Sequence, residues 1–506
     1  MKLETVTTTN KIDADFVADM CLESNTKVFE SMEFRIDNDH VLAFAPDTFM
    51  RKDSTQVIFY GREFLDTWSA CLMPQQAVLL AYFDGTRTLK EVAAILAEYT
   101  KDSLQTAELK VEHLLRYCEV LGKRRFVDLT ESPGAPHKGY DPRDFAHLTG
   151  QKKYSPLYEK PISMMWMPTF VCQTDCVYCY AVRKTIAPDD LLSLTRVHEL
   201  VEEAAKLGII AMNVDGGDAF CRRNVTEIFS HATSLDIQLD VSTKAYISKD
   251  FAKELRDSGV KALQVGFDAP YPDLFDRIVG RKGHFQRTVE SIHNCADAGI
   301  LVRTNSILTS ESVKYINELV EFLYELPLFN MKIAAAFRSH YRGNTSILLD
   351  EAQKQWLRSQ MIALREKHPD GRLNFECKSD YMHLSPEERA QEFRDFPTCG
   401  AGSQSIIITP NGDVVMCEQS PQIEEFIVGN VKTRSILDVW SSPNSREFKT
   451  LSQKQFAGTA CADCGDFERC YIKKGGCLIE TIKAYGSRFN PHPACPKAPE
   501  YAPPIR

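Results

Sequence analysis

Six short apolar runs recur between residues 161 and 342, and this alternation constrains the fold more than any other feature of the chain. The runs read ISMMWMP, IIAMNVD, IQLDVST, ALQVGFD, ILVRTNSIL and MKIAAAF, and helical segments such as LLSLTRVHELVEEAAKLG lie between them. Near-continuous apolar runs are typical of parallel strands that are buried on both faces. Strands that alternate with helices predict βαβ units with right-handed crossovers. We therefore expect an α/β fold in which residues 161–342 form a partial (β/α)6 TIM-like barrel, with ligands at the carboxyl ends of its strands.

The cysteines of the chain are numerous and partly clustered. The protein has 16 of them, and its first residues, MKLETVTTTNKIDADF, are polar and acidic, unlike a signal peptide. We therefore expect a cytoplasmic protein, and in a reducing compartment clustered thiols point to metal rather than to disulfides. Five cysteines stand singly in the sequence, and we interpret them as structural: Cys21, Cys71, Cys118, Cys221 and Cys295.

Three cysteines follow the first predicted strand within eight residues, in the stretch FVCQTDCVYCYA. These are Cys172, Cys176 and Cys179. Thiolates at this spacing can bind three irons of a [4Fe–4S] cluster and leave the fourth iron open. A structural zinc site needs four ligands, usually from paired CxxC units, and no fourth ligand lies nearby in the sequence. The triplet therefore favours an iron–sulfur cluster over zinc.

The triplet, with Tyr178 before its last cysteine, resembles the radical S-adenosylmethionine (SAM) superfamily. The resemblance implies that SAM binds the open iron and that its reductive cleavage yields a 5′-deoxyadenosyl radical. DGGDAF resembles the family's Gly-Gly-Glu motif, with Asp in place of Glu, and the stretch VGFDAP places Asp268 at a recurrent aspartate. The resemblance implies cofactor-binding roles for Tyr178, Gly216, Gly217, Asp218, Ser242, Lys244 and Asn305. Because the sequence singles out no general base, we assign no catalytic residue.

A second cysteine group lies within residues 399–506, a region short of long periodic elements that metal could stabilise. Its seven members are Cys399, Cys417, Cys461, Cys464, Cys470, Cys477 and Cys495. Their order resembles the SPASM domain of radical-enzyme maturases, although six residues separate Cys470 from Cys477 where the family has three, which we interpret as a small loop insertion. The resemblance implies two auxiliary [4Fe–4S] clusters, and so three clusters in all.

By position, the SPASM resemblance divides these cysteines between two sites. One cluster takes Cys461, Cys464, Cys470 and Cys495, and the other takes Cys399, Cys417 and Cys477. The fourth ligand of the second cluster is either Cys377 or a substrate thiolate at an open iron. A zinc ribbon built on Cys461 and Cys464 is the alternative to both clusters.

Residues 52–128 predict a winged-helix-like module. TQVIFYG and FLDTWSACL suggest paired strands, and three helices follow. The first begins at Pro74 and ends at Gly85, the second is capped by Thr88 with Glu91, and the third ends at Gly122. The order resembles the leader-peptide recognition element of peptide-modifying enzymes, which would hold a leader by strand addition; a structural cap is the alternative. We leave residues 1–51 unassigned and predict a linker at 129–160 and a helical bridge at 343–398.

Together these resemblances imply a radical SAM maturase of a ribosomally made precursor peptide, most plausibly one that forms thioether cross-links. Its expected partners are the precursor with its leader and an external one-electron reductant, flavodoxin-like or ferredoxin-like. Carbon–carbon or carbon–oxygen cross-links, epimerisation, decarboxylation, a sulfatase-maturase-like oxidation of Cys or Ser, and a non-catalytic zinc protein are the alternatives. The net charge of −9, the lack of a Lys/Arg block and the lack of a membrane-length apolar run argue against nucleic acid or a membrane as partner.

Overall fold

The computed structural model describes residues 38–53, 56–63, 66–119, 125–146, 157–182, 186–339, 345–377, 384–395, 402–474 and 477–500. The chain divides into two compact units, one that extends to residue 154 and one that begins at residue 155. Each is described by itself. Within the described ranges, no helix combines the length and apolar character needed to cross a bilayer.

The N-terminal unit packs helices against two three-stranded sheets, ordered β5-β1-β6 and β2-β3-β4. Its strands are β1 (Val41–Phe44), β2 (Thr48–Asp53), β3 (Gln56–Glu63), β4 (Asp66–Leu72), β5 (Asp84–Thr88) and β6 (Phe126–Asp128). Its helices are α1 (Pro74–Leu80), α2 (Leu89–Thr100), α3 (Leu104–Glu119) and α4 (Arg143–Ala146). The predicted capping box at the start of α2 is present: the Thr88 hydroxyl accepts from the Glu91 N–H at 3.2 Å, and the Glu91 carboxylate accepts from the Thr88 N–H at 2.8 Å.

Two predictions for this unit need correction. Helix α1 ends at Leu80 rather than at Gly85, because the buried Phe83 turns the chain into the core and Gly85, at φ +82°, already belongs to β5. Residues 38–51, which we left unassigned, supply β1 and β2. Residues 41–45 are strand-like in sequence, but β1 pairs with β5 and β6, which are distant in sequence, so the local pattern did not place it in a sheet. The end predicted for the third helix at Gly122 lies outside the described residues.

The second unit is built on one ten-stranded sheet, ordered β13-β12-β11-β10-β9-β8-β7-β14-β15-β16. Its strands are β7 (Ser163–Trp166), β8 (Ala211–Val214), β9 (Gln238–Thr243), β10 (Ala262–Gly266), β11 (Leu301–Leu308), β12 (Asn330–Ala335), β13 (Leu373–Glu376), β14 (Ser405–Ile408), β15 (Asp413–Val415) and β16 (Ile427–Asn430). The six predicted strands are β7 to β12, and all are parallel neighbours. The predicted α/β fold with a partial barrel is confirmed.

Helices cover one face of this sheet and enclose the apolar core between the two layers. They are α5 (Leu194–Leu207), α6 (Val225–Ser234), α7 (Lys249–Asp257), α8 (Pro272–Val279), α9 (His284–Asp297), α10 (Ile316–Tyr324), α11 (Glu351–Lys367), α12 (Pro386–Asp395), α13 (Ile436–Trp440), α14 (Pro443–Lys449) and α15 (Leu478–Tyr485). Alternate residues of β9 and β11 face the other side, which we call the inner face. There Arg303 of β11 and Asp240 of β9 form an ion pair at 3.1 Å across β10.

Four strands extend the barrel sheet beyond the prediction. The stretch expected to be a helical bridge contains α11 and α12 but also β13, which pairs in parallel with β12. From the cysteine-rich region, β14 pairs in parallel with β7, and β15 and β16 follow as antiparallel strands. The cysteine-rich region therefore continues the barrel sheet instead of standing apart from it.

Candidate active site

The loop that carries the cysteine triplet leaves β7 and is held on one side by the glycines after β8. The Gly217 N–H donates to the Thr169 carbonyl at 3.1 Å, and the Asp218 N–H donates to the Val171 carbonyl at 2.8 Å. A Cβ atom at position 217 would lie 2.5 Å from both carbonyl oxygens, so only glycine allows this approach. Gly216 adopts φ +112°, which also favours glycine. The two glycines thus fix the start of the cysteine loop.

The end of α8 holds the same loop on its other side. The Asp175 N–H donates to the Val279 carbonyl at 2.8 Å, and the Arg281 guanidinium donates to the Gln173 carbonyl at 2.7 Å. Gly280 ends α8 at φ +66°, and a Cβ there would lie 2.7 Å from the Asp175 carbonyl oxygen. The loop is therefore clamped between two glycine-dependent contacts at the carboxyl end of the barrel.

Two of the three cysteines of this loop lie close to a single hydroxyl group. The Thr174 Oγ1 lies 3.4 Å from the Cys172 Sγ and 3.5 Å from the Cys176 Sγ. Cys176 is buried, while Cys172 and Cys179 are half-buried. Burial raises the pKa of the Cys176 thiol to about 11. A coordinating metal deprotonates such a thiol outright, so this environment suits a cluster ligand better than a free nucleophile.

A buried network lies next to the triplet and includes two predicted cofactor contacts. The Tyr178 hydroxyl donates to the Asp268 carboxylate at 2.7 Å, and the Lys244 ammonium lies 3.1 Å from the same oxygen. Burial acts to lower the pKa of the Lys244 ammonium, but the negative charges of Asp268 and Cys176 have the larger combined effect, so the pKa is raised. Gly266 leaves the room that Lys244 occupies, since a Cβ there would lie 1.7 Å from its Nζ. Asp268 thus positions both Tyr178 and Lys244.

The Asp218 carboxylate is occupied by donors from the chain itself. It accepts from the Thr243 hydroxyl at 2.9 Å, from the Lys244 N–H at 3.1 Å and from the Phe220 N–H at 3.1 Å. Burial raises the pKa of Asp218 despite these bonds. These contacts tie the glycine segment after β8 to the end of β9, so the structure shows a positioning role for Asp218. Direct contact with the cofactor stays a prediction.

Ser242 and Asn305 lie on the inner face, Ser242 next to the end of β9 and Asn305 in the middle of β11 rather than at its end. The Ser242 hydroxyl accepts from the Gln264 amide at 3.0 Å. The Asn305 Oδ1 is buried and accepts no hydrogen bond from the described residues. A buried amide oxygen without a donor costs about 1–3 kcal/mol, and a ligand that donates to it removes that cost.

These features fit SAM and a [4Fe–4S] cluster. Three thiols in one loop supply ligands for three irons. The two glycines after β8 allow close approach of the backbone, and the Asn305 Oδ1 can accept from a ligand such as SAM, whose ribose hydroxyls and ammonium are donors. The individual roles of Tyr178, Ser242, Lys244 and Asn305 toward the cofactor stay predictions.

Sequence reasoning missed an acidic pair beside this site. Asp215 directly precedes the two glycines, and its carboxylate accepts from the Tyr180 hydroxyl at 3.2 Å. Burial and the negative charge of the neighbouring Glu418 raise the pKa of Asp215 to about 6. A hydrogen bond from the Gly216 N–H acts in the opposite direction and partly offsets this rise. Tyr180 follows Cys179, and Glu418 follows Cys417, so the pair lies between the triplet loop and the cysteine-rich region. The sequence feature that could have revealed Asp215 is its position immediately before the Gly-Gly motif.

Four cysteines of the second group line one cavity, as the sequence predicted. These are Cys461, Cys464, Cys470 and Cys495, and Tyr471, His492 and Lys497 line the cavity with them. The Gln453 amide donates to the carbonyls of Cys461 and Cys464, at 2.9 Å each, which fixes that turn. Cys470 lies in a π-helical segment, Glu468–Lys474, a conformation often found at functional sites. This donor set fits a cluster with four thiolate ligands.

The other predicted auxiliary site is only partly described. Cys399 lies outside the described residues. Cys417 follows β15, and Cys477 caps the start of α15. Cys377 directly follows β13, and burial raises the pKa of its thiol although the charges of Arg358 and Lys354 on α11 act to lower it.

The described part of the chain does not favour a zinc site. It contains no group of three or more His, Cys, Asp or Glu residues that could hold a single metal ion. Four thiolates on one zinc ion would stand about 3.8 Å apart, given Zn–S bonds of about 2.3 Å. The described cysteines, the four that line the cavity included, form no such group.

Two family models match this chain. Residues 166–323 match the radical SAM superfamily, and residues 399–465 match SPASM, an iron–sulfur cluster-binding domain. The first model covers β7 to α10, including the triplet and the network around Asp268. The second begins at Cys399 and includes Cys417, Cys461 and Cys464.

Two curated relatives resemble this chain over two thirds of its length. The PqqA peptide cyclase of Rhizobium meliloti is 23% identical over 344 residues, which are 67% of this chain and 88% of the relative. The mycofactocin maturase MftC of Mycolicibacterium smegmatis is 25% identical over 342 residues, which are 67% of this chain and 83% of the relative.

Among solved structures, that of Streptococcus suis SuiB bound to precursor peptide SuiA aligns with a TM-score of 0.61 at 16% identity. The alignment covers 91% of this chain and 99% of that chain. SuiB bound to S-adenosylmethionine aligns with the same score and coverage. At this identity the likeness shows a shared fold, and its coverage reaches beyond the barrel and the cysteine-rich region.

Proposed function

We propose that this chain, a radical SAM protein with a C-terminal SPASM domain, modifies a ribosomally made precursor peptide. The two domain resemblances in the sequence are confirmed by the family matches, and the cofactors that accompany these domains are SAM and [4Fe–4S] clusters. When bound, these groups supply a carbon-centred radical and one-electron chemistry. The chain binds and orients the groups through the clamped triplet loop and the Asp268 network.

One observation carries the proposal. The clamped triplet, the four-cysteine cavity and a separate small unit with two short sheets occur together in a single chain. The relatives named as a peptide cyclase and a maturase support a peptide substrate, as does the shared fold with SuiB, which was solved with a precursor peptide.

The N-terminal unit offers a site for the leader of the precursor. Strand β4 is an edge of the sheet β2-β3-β4, and an extended peptide can add to such an edge through main-chain hydrogen bonds. Tethering the leader there would raise the effective concentration of the core peptide at the barrel. A reductant protein that donates one electron completes the set of proposed partners. We place the reaction in the cytoplasm because clustered free thiols are typical of a reducing compartment.

We assign thioether formation as the reaction. With Cys399, Cys417 and Cys477 as its ligands, the second auxiliary cluster would keep an open position at its fourth iron. A cysteine thiolate of the precursor would occupy that position. In the overall reaction one substrate C–H bond and one S–H bond break and one C–S bond forms. The peptide therefore loses two hydrogens per link: one would leave as an atom taken up by the carbon-centred radical that SAM supplies, and the other as a proton, with its electron going to an auxiliary cluster.

The test is co-expression of the chain with a short cysteine-rich reading frame from its gene neighbourhood, followed by mass spectrometry. We expect a loss of two hydrogens per link and thiols that no longer react with an alkylating reagent. A peptide that loses the hydrogens but keeps every thiol would assign a carbon–carbon or carbon–oxygen link instead. An unchanged mass would refute thioether formation on that peptide.

A second experiment tests leader recognition. Removing residues 1–154 deletes the N-terminal unit, and we expect turnover of the full precursor to fall at least tenfold while iron content stays the same. Unchanged turnover would refute leader binding by this unit and would favour an oxidation of Cys or Ser that needs no leader.

A further inference from the structure

A single lysine contacts one of the four thiols that line the cavity of Cys461, Cys464, Cys470 and Cys495. The Lys497 ammonium lies 3.6 Å from the Cys464 Sγ. The same residue lines the cavity itself. One ligand sulfur of the predicted cluster thus receives a donor that carries a positive charge.

The turn around Lys497 is held in place by the main chain. The Cys495 N–H donates to the His492 carbonyl at 2.7 Å, and the Ala498 N–H donates to the Cys495 carbonyl at 2.9 Å. Further along, the Tyr485 hydroxyl of α15 donates to the Pro499 carbonyl at 3.0 Å. These bonds place Lys497 beside the cavity although its side chain is exposed.

The other charged groups act on the ligand thiols only through space. Arg389 lowers the pKa of Cys495 and Arg469 lowers that of Cys470, whereas Asp466 raises the pKa of Cys470. The opposite charges of Asp466 and Arg469 act on the same sulfur, so their effects at Cys470 oppose each other. Lys497 differs from them because its ammonium touches a ligand sulfur directly.

Hydrogen bonds to the sulfurs of a cluster, and positive charge beside them, stabilise its more negative, reduced state. We propose that Lys497 is a positioning residue that raises the reduction potential of the auxiliary cluster held by Cys461, Cys464, Cys470 and Cys495. The SPASM cluster then accepts an electron more readily than the same ligand set would without the lysine. The inference needs the cluster but no peptide, so it is independent of the proposed substrate and bond.

The test is a potentiometric titration of the full-length, anaerobically reconstituted chain without peptide, followed by electron paramagnetic resonance. In Lys497→Met we expect one cluster component to shift its midpoint to a more negative potential. The remaining components should stay unchanged and serve as internal references. Lys497→Arg should restore the midpoint, and Lys497→Gln, which keeps an N–H donor without the charge, should give a smaller shift than Met.

A matched control removes the same charge elsewhere in the domain. Lys454 is exposed and follows Gln453, whose amide contacts the cysteine turn, and Lys454→Met should leave all midpoints in place. In Cys461→Ala the component that responds to Lys497 should disappear. Unshifted midpoints in Lys497→Met, an equal shift in Lys454→Met, or a responsive component that survives Cys461→Ala would each overturn the proposal. If Lys497→Met lowers the iron and sulfide content, the midpoint potentials of Lys497→Gln and Lys497→Arg are compared instead. Equal midpoints in these two variants would then overturn the proposal.

Discussion

Asn305 gives the most direct residue-scale prediction, because its buried Oδ1 has no donor among the described residues. Asn305→Ala should weaken SAM binding about tenfold, the equivalent of about 1.4 kcal/mol, since a bound ligand loses one hydrogen bond. The stability of the SAM-free protein should not fall, because the variant also removes an unsatisfied group. Equilibrium binding of SAM to the reconstituted chain measures the first effect and urea unfolding the second. Asn317→Ala, whose side chain bonds to Gln360 on the outer helices, is the control. Equal SAM affinity in both variants would contradict the assignment.

Asp215 gives a prediction with a defined pH dependence. Its pKa is raised to about 6 in the folded chain, from an ordinary value near 3.8, so the folded state holds its proton more tightly than the unfolded state. Its ionisation therefore costs stability as the pH rises from about 4 to about 6, and this cost persists at higher pH. Asp215→Asn should be more stable than the wild type at pH 7, and its advantage should shrink as the pH falls to 5. Urea midpoints at several pH values measure this, and an advantage that grows toward pH 5 would refute it.

At the residue scale, spacing alone identified the cysteines. The positions of Cys172, Cys176 and Cys179 in one loop and of Cys461 and Cys464 in one turn follow from short sequence separations. Asp215 could not be recognised in this way, because its perturbation depends on Tyr180 and Glu418, which reach it from other parts of the chain. Local motifs therefore point to candidate ligands, whereas an electrostatic environment made by distant residues is seen only in the fold.

The clamp on the triplet loop is the feature to test at the scale of elements. In Gly217→Ala the added Cβ would meet the Thr169 and Val171 carbonyls at 2.5 Å, so the loop must move away from the end of β8. We expect a stability loss of about 1–3 kcal/mol, typical of overpacking, and a fall in bound iron of about one cluster. Gly134→Ala, where no atom lies within 4 Å of the added Cβ, is the control and should keep its iron. Full iron content in Gly217→Ala would show that the clamp is not needed for the cluster.

Strands with a continuous apolar run were predicted from the sequence, whereas a strand in which buried and exposed residues alternate was missed. Strands β7 to β12 are buried and were recognised, whereas β13 alternates buried Leu373 with exposed Asn374 and was assigned to a helical bridge. An edge strand of a barrel is partly solvated, so it lacks the continuous apolar run that marks a buried parallel strand. The end of α1 was misplaced for a related reason, since Phe83 continues the apolar run but turns into the core.

At the scale of the whole molecule, the pairing of β14 with β7 ties the SPASM region to the barrel. Ile406 and Ile408 of β14 are fully buried beside β7, with Ile408 opposite Trp166. No local pattern predicts this contact, because about 240 residues separate the two strands and either could have been a sheet edge. The predicted boundary at residue 399 therefore separates sequence motifs but not folded units, because both regions belong to the same compact unit.

This continuity predicts opposite results for two truncations. A chain that stops at residue 398 loses β14 to β16, so β7 becomes an exposed edge of the sheet. The apolar residues packed on β7 then contact water, and the open edge promotes aggregation. A chain that begins at residue 155 keeps the whole ten-stranded sheet and should fold. We expect the first truncation to give little soluble protein and no triplet cluster, and the second to give soluble protein with undiminished iron per chain. Soluble yield and iron analysis on the two proteins decide the matter. A soluble, iron-loaded barrel without residues 399–506 would show that the triplet loop is ordered by the clamp after β8 and α8 alone, without the strand that flanks β7.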